Sequence, residues 1–168
     1  LSHQLQTAGT NAEIVNETYL ANKRQLERFL GRAKTEVDID WHGKTVALLG
    51  LAFKRDTNDT RNSPSVTITQ TLLEGGAQRI KTYDPVVTEM FALDFPGENR
   101  LHYAKTLAEA ISSVDVIIIS TDWPQFRELS TVLLDPAYAG RPLIMDGRRM
   151  LSHQYDVLAA AGYKIIPV

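Results

Sequence analysis

Three features of the sequence predict a doubly wound α/β fold: a parallel sheet of about six strands, helices on both faces, and one helix ahead of the sheet. First, from Lys44 onward short runs of β-formers alternate with amphipathic segments. Second, TVALLG (45–50) and DVIIIST (115–121) are almost wholly apolar, as strands buried on both faces must be. Third, glycine and proline punctuate the runs at helix starts and strand ends. Strand–helix–strand units with right-handed crossovers give a Rossmann-like arrangement.

The elements follow in order. Residues 12–32 read as a helix, with Val15, Tyr19, Leu26, Phe29, Leu30 and Ala33 in one apolar stripe, Asn11 as N-cap and Gly31 near the end. Residues 35–43 read as a linker. The first strand is TVALLG. SPSVTITQTLLEGGA (63–77) is a helix, with Ser63 as cap, Pro64 in the first turn and Gly75-Gly76 as stop. RIKTYDP (79–85) is the second strand and ends on a turn. Residues 86–100 are part helix, part loop, and LHYA is a short third strand. TLAEAISS (106–113) is a helix before the fourth strand, DVIIIST. WPQFREL starts another helix, RPLIMDG (141–147) is the fifth strand, HQYDVLAAAG (153–162) a helix, and YKIIPV the last strand. The division is thus 1–42, helix and linker, and 43–168, the sheet domain.

Composition narrows the function classes. The chain has 168 residues, 43% hydrophobic and 23% charged, with a net charge of −2. This is an ordinary globular balance, with no broad surface for nucleic acid or an anionic membrane. No apolar run approaches a membrane span. The N-terminal stretch LSHQLQTAGTNAE has neither the basic region nor the apolar core of a signal peptide, so a cytoplasmic protein is expected. There are no cysteines, which excludes disulfides, thiolate metal sites and cysteine nucleophiles within this chain. His3, His42, His102 and His153 are scattered without metal-ligand spacing, so no metal site is expected.

Ligands of doubly wound sheets sit beyond the C-terminal strand ends. The segments there are GLAFKRDTNDTR, YDP, STDW and MDGRR. The first holds one glycine where a dinucleotide fingerprint has three, and carries Lys54, Arg55, Asp56, Asp59 and Arg61 instead. Lysine supplies a mobile point charge and arginine a planar fork for phosphate or carboxylate. A helix N-terminus near Ser63 adds free N–H groups. Arg148 and Arg149 lie at the fifth strand end, with Gly147 allowing a sharp turn. If the first and fifth strand ends share an edge, Lys54 and one of these arginines can meet on one phosphate. The competing reading is that the charges are solvated, some paired with Asp56, Asp59 and Asp146.

GLAFKRDTNDTRNSPS, then TYDP, VIIISTDWPQFREL and IMDGRRM in that order, resemble the C-terminal domain of the UDP-glucose/GDP-mannose dehydrogenase family. The helix carrying IVNE resembles the end of that family's central helix, so the resemblance runs from about Asn11 to Val168. It implies a domain that binds the UDP half of a nucleotide sugar, in an enzyme that oxidises a C6 alcohol twice with two NAD. Phe53, Lys54 and Arg148 match the family's substrate-contacting residues, and Arg61 matches the arginine that reaches NAD across the domain interface. The helix implies a homodimer. The family's N-terminal NAD-binding domain and catalytic Cys lie upstream, so this chain holds no catalytic residue and is not expected to turn over alone. It does not begin with Met, and the resemblance implies an excised domain, a piece of a split gene or a proteolytic product.

Other readings stand beside these. Phe53 can pack in the core, Arg61 can pair with Asp59, and Arg149 can be structural. Tyr83 and Asp84 can simply shape the turn into Pro85. Asp122 and Trp123 can line the crevice, or Trp123 can pack. The stripe on the first helix can cover its own domain or a second subunit. The nucleotide sugar can be UDP-glucose, GDP-mannose or UDP-N-acetylmannosamine. A non-catalytic nucleotide-binding module keeps the same pocket. A receiver-like fold needs an acidic pair after the first strand, where this chain has GLAFK.

Overall fold

The computed structural model describes residues 13–168. Helix α1 (Glu13–Val37) precedes β1 (Thr45–Leu49), α2 (Pro64–Glu74), β2 (Arg79–Tyr83), α3 (Glu89–Ala92), β3 (Leu101–Tyr103) and α4 (Leu107–Ile111). Strand β4 (Val116–Ile119) follows, and a 3₁₀ turn (Pro124–Glu128) feeds α5 (Leu129–Leu134). After β5 (Leu143–Asp146), a second 3₁₀ turn (Ser152–Gln154) leads to α6 (Tyr155–Ala160) and β6 (Ile165–Pro167).

The six strands form one sheet in the order β3-β2-β1-β4-β5-β6. Every pairing is parallel, with Val46 opposite both Ile80 and Val116. The predicted class is therefore observed. Chain direction across the sheet reverses between β1 and β4, so the topological switch point lies beyond Leu49 and Ile119.

Alternation along the central strands feeds two cores. Val46, Leu48, Val116, Ile118 and Met145 meet Ile68 and Leu72 of α2 and Phe29, Leu30 and Ala33 of α1 on one face. Ala47, Leu49, Ile117, Ile119 and Ile144 meet Ile111 of α4, Phe126, Leu133 of α5 and Leu158 of α6 on the other. Both faces of β1 and β4 are covered, which is why their sequences show no polar alternation.

Several boundaries differ from the sequence reading. Helix α1 runs through Gly31 to Val37, because the last turns are held by packing and by Arg32, which donates to the Pro167 carbonyl of β6. Residues 35–37 are thus helix and not linker. Ile39 and Trp41 pack against the first core, so the rest of that connection is anchored too. The apolar stripe divides. Phe29, Leu30 and Ala33 are buried in the chain's own core, whereas Tyr19 is 64% exposed. Asn11 and the Val15 side chain lie outside the described residues. Helix α2 matches expectation closely: Pro64 opens it, and the Ser63 side chain accepts a hydrogen bond from Ser65 N. The segment 153–162 splits into a 3₁₀ turn and α6.

Candidate functional site

The site is built where β1 and β4 leave the sheet. Ser120 N donates to Leu49 O at 2.8 Å, and Gly50 N to Tyr83 O at 2.8 Å, so the strand exits stay in register past the strands themselves. Gly50 has φ +92, and a Cβ there would lie 2.5 Å from Thr121 Cβ. Only glycine lets the two exits approach this closely. Thr121 Oγ1 then donates to Ala52 O at 2.9 Å. The Ser65 hydroxyl, in the first turn of α2, donates to Gly50 O at 2.7 Å and lies 2.8 Å from Ser120 Oγ. Ser65 has one hydroxyl proton, so the Ser120 hydroxyl donates to Ser65. The sequence reading missed Ser65, Ser120 and Thr121. Their signal was small hydroxyl residues at strand ends and at a helix start, which sequence alone does not separate from turn formers.

From this stem the charged loop extends outward. Phe53 N donates to Asp59 O at 2.9 Å and closes it, and Thr57 Oγ1 donates to Lys54 O at 2.8 Å. Asp56 and Asn62 take left-handed φ of 60° and 59°, which Asp and Asn tolerate best among residues with a Cβ. Arg61 grips Asp59 with Nε and Nη2, both at 2.9 Å. That fork, with a further bond from Arg61 N, pulls the Asp59 carboxyl down to about 2. Arg61 is 85% exposed, so the pair is open to solvent screening. Arg55 lies 3.7 Å from Asp56 and 3.9 Å from Asp122, at the loose end of ion-pair geometry. Phe53 is 49% exposed, so it does not pack in the core. Lys54 is exposed, and its ammonium has no hydrogen bond or ion pair among the described residues.

The β2 exit carries more than a turn. Asp84 is 6% exposed. Its Oδ1 accepts from Val86 N and Val87 N at 2.9 Å each. Its Oδ2 accepts from Leu51 N at 2.8 Å, Ala52 N at 3.3 Å and Trp123 Nε1 at 3.1 Å. Trp123 is a packing residue in the second core, with its indole N–H turned to this carboxylate. Asp122 beside it is exposed.

At the β5 exit, Asp146 is fully buried and accepts from Arg148 N, Met150 N, Leu151 N and Tyr155 Oη at 2.8–3.2 Å. Burial, with that hydrogen bond, holds the Tyr155 phenol above its usual range. Asp146 therefore engages the Arg148 backbone and not its guanidinium. Arg148 Nε donates instead to Ser120 O at 2.7 Å, which orients the guanidinium along the β4 exit and leaves its outer nitrogens available. Gly147 does not make its turn through a positive φ. It is required because a Cβ there would meet Ile119 O at 2.8 Å and the Phe29 ring at 3.5 Å. Arg149 is the residue with positive φ, at 53°, and is exposed.

Arg148, Ser120, Ser65 and Gly50 thus form one hydrogen-bonded line across the switch point. Lys54 and Phe53 stand on the loop at one end of it, and Arg61 faces Asp59 farther along that loop. At the solvent-facing surface Lys54, Arg55, Arg61, Arg148 and Arg149 outnumber Asp56, Asp59 and Asp122, while the buried Asp84 and Asp146 are taken up by N–H and O–H donors. The arrangement suits an anionic ligand gripped by side chains. It does not fit a dinucleotide pyrophosphate laid on backbone, because the free face of Gly50 is filled by Thr121 and no second glycine follows. The described residues hold no group of three or more His, Asp or Glu placed to share a metal ion.

Fold and site together place the chain in the class of doubly wound α/β domains that take ligands at the switch point. Residues 47–153 match the UDP-glucose/GDP-mannose dehydrogenase family, UDP binding domain, and the chain belongs to that family. It is 38% identical over 147 residues to UDP-glucose 6-dehydrogenase AglM of Haloferax volcanii, covering 87% of this chain and 32% of the relative. UDP-glucose 6-dehydrogenase TuaD of Bacillus subtilis is 32% identical over 158 residues, covering 94% and 32%. The chain spans about a third of the length of these curated relatives. Among solved structures, a UDP-glucose dehydrogenase from Pyrobaculum islandicum superposes with a TM-score of 0.70 at 24% identity, over 90% of this chain and 32% of that one. A UDP-D-ManNAc dehydrogenase from Pyrococcus horikoshii gives 0.72 at 23%, over 98% and 35%. These structural likenesses bear on the fold.

Proposed function

We propose that this chain is the substrate-holding part of an NAD-dependent nucleotide-sugar dehydrogenase, specifically UDP-glucose 6-dehydrogenase. That enzyme oxidises UDP-glucose to UDP-glucuronate with two NAD. The observation that carries the reading is that the family's UDP-binding domain match spans the loop with Lys54, unpartnered among the described residues, and the exposed Phe53, together with the Arg148 turn. In this reading Lys54 supplies a charge to the ligand, Phe53 packs on it, and Arg148 offers its outer nitrogens to an oxygen. Arg148 is suited to this because Nε is already spent on Ser120 O. In this reading Arg61 exchanges Asp59 for NAD, which is held mainly by a second domain like that of the longer relatives. The catalytic groups belong to that domain too.

The same reading divides the chain at residues 42 and 43, with the N-terminal helix as a homodimer contact. Exposed Tyr19 and Leu20, on the half of α1 that precedes its buried residues, support this. It also places the enzyme in the cytoplasm, where soluble nucleotide sugars are drawn on. No described helix is long and apolar enough to cross a membrane.

Calorimetric titration of this chain with UDP, with GDP and NAD as controls, tests the proposal. Weak UDP binding is expected, with little for NAD, because in this reading each site is shared with the further domain of the longer relatives. Lys54→Ala should weaken UDP by about tenfold or more, as expected for a charge-assisted contact. Equal binding of UDP by wild type and variant would remove Lys54 from the site. Absence of binding both by this chain and by the protein joined to an NAD-binding domain would sink the reading.

A further inference from the structure

We propose that Asp84 is a positioning residue for this site: its buried carboxylate holds the stem of the loop that presents Phe53 and Lys54 to the ligand. The inference rests on the reading of that loop as the substrate-holding element.

An aspartate that only shapes a turn needs one oxygen. Asp84 Oδ1 does that work, accepting from Val86 N and Val87 N, two and three residues on. Its Oδ2 is not left to water. It points inward and takes three N–H donors distant in sequence: Leu51, Ala52 and the Trp123 indole. Leu51 and Ala52 are the last buried residues before Phe53 and Lys54, and Trp123 follows the β4 exit. One side chain therefore ties the exits of β1, β2 and β4 together directly beneath the exposed loop.

The chemistry demands a carboxylate. No cation pairs with Asp84 among the described residues, so its charge is balanced by five N–H dipoles. Asparagine would turn an NH₂ toward at least two of those donors, whichever way it flipped. The arrangement also places constraint where it is useful. The backbone directly beneath the ligand-facing side chains is fixed by these hydrogen bonds, which lowers the ordering cost of binding.

The test combines UDP titration, amide hydrogen exchange at Leu51 and Ala52, and a double-mutant cycle with Lys54→Gln. Asp84→Asn should weaken UDP by about tenfold, and by clearly less in the Lys54→Gln background, because part of the loss runs through Lys54. Exchange at Leu51 and Ala52 should quicken, while amides of β5 stay protected, and the Trp123 indole proton should shift. Trp123→Phe keeps a ring in the core and removes one donor, so it should show a smaller loss with the same pattern. It carries the test if Asp84→Asn does not fold. Unchanged UDP affinity, or a loss fully additive with Lys54→Gln, overturns the inference and leaves the functional reading standing. If wild type binds no UDP even when joined to an NAD-binding domain, the functional reading fails, and the site role of Asp84 falls with it. Exchange at Leu51 and Ala52 then shows separately whether the carboxylate holds the stem.

Discussion

Two buried aspartates end adjacent halves of the sheet, and they work differently. The Asp146 side chain closes β5 on itself: all the partners of its carboxylate lie between Arg148 and Tyr155. Asp84 closes β2, but three of its five donors come from elements more than thirty residues away. The first makes a turn stable by itself. The second makes three turns depend on one another. The side of the sheet with the coupled turns carries the loop with Lys54, so the coupling lies under the candidate site. The side with the self-contained turn delivers Arg148 from a base that does not rely on that loop.

The sharpest way to break this contrast is at Gly50, where the β1 and β4 exits touch. Gly50→Ala adds a Cβ 2.5 Å from Thr121 Cβ at φ +92, which should cost on the order of 4 kcal/mol through strain and overpacking. Denaturant unfolding should show the loss, and UDP binding should fall with it. An alanine variant of native stability would mean that the two exits are not pressed together. Next in size is Asp146→Ala, which strands four donors and should cost about 3 kcal/mol. Its exchange should quicken only over residues 147–155. Quickening that spreads to Leu51 and Ala52 would erase the distinction between the two aspartates.

The smallest effect comes from a carboxylate balanced by a cation. Arg100 binds Glu98 with Nη2 at 2.7 Å, and its fork lowers the Glu98 carboxyl from 4.5 to about 2. A depressed carboxyl contributes stability above its unfolded value and loses it as pH falls through the folded one. Glu98→Gln should therefore melt slightly lower than wild type at pH 7, with the gap closing between pH 4.5 and 2. A gap that persists at pH 2 would mean the side chain acts through packing. Solvent screening keeps this effect well below the other two.

Much of this architecture is legible in the chain itself. Apolar runs bounded by Gly and Pro identify β1 and β4, and Ser63-Pro64 marks the start of α2, because these signals are local. The charged loop and the Arg148 turn are also visible, since a strand end crowded with cations is unusual. The roles of the glycines are not. Gly147 looks like a turn residue, but it is there for the Ile119 carbonyl and the Phe29 ring. Gly31 looks like a helix stop, yet α1 continues to Val37, because contacts with the core and β6 outweigh one unfavourable residue.

Local periodicity, caps and breakers were sufficient for the element types, the parallel class and the segments that reach the strand ends, because each depends on neighbours a few residues apart. Tertiary structure alone decided which faces of those segments meet. It set Thr121 against Gly50, bent Arg148 to the Ser120 carbonyl and turned the second oxygen of Asp84 toward β1 and Trp123. Several of these contacts join residues dozens of positions apart. They exist because the sheet order puts β1 between β2 and β4, a choice made by the joint burial of both sheet faces.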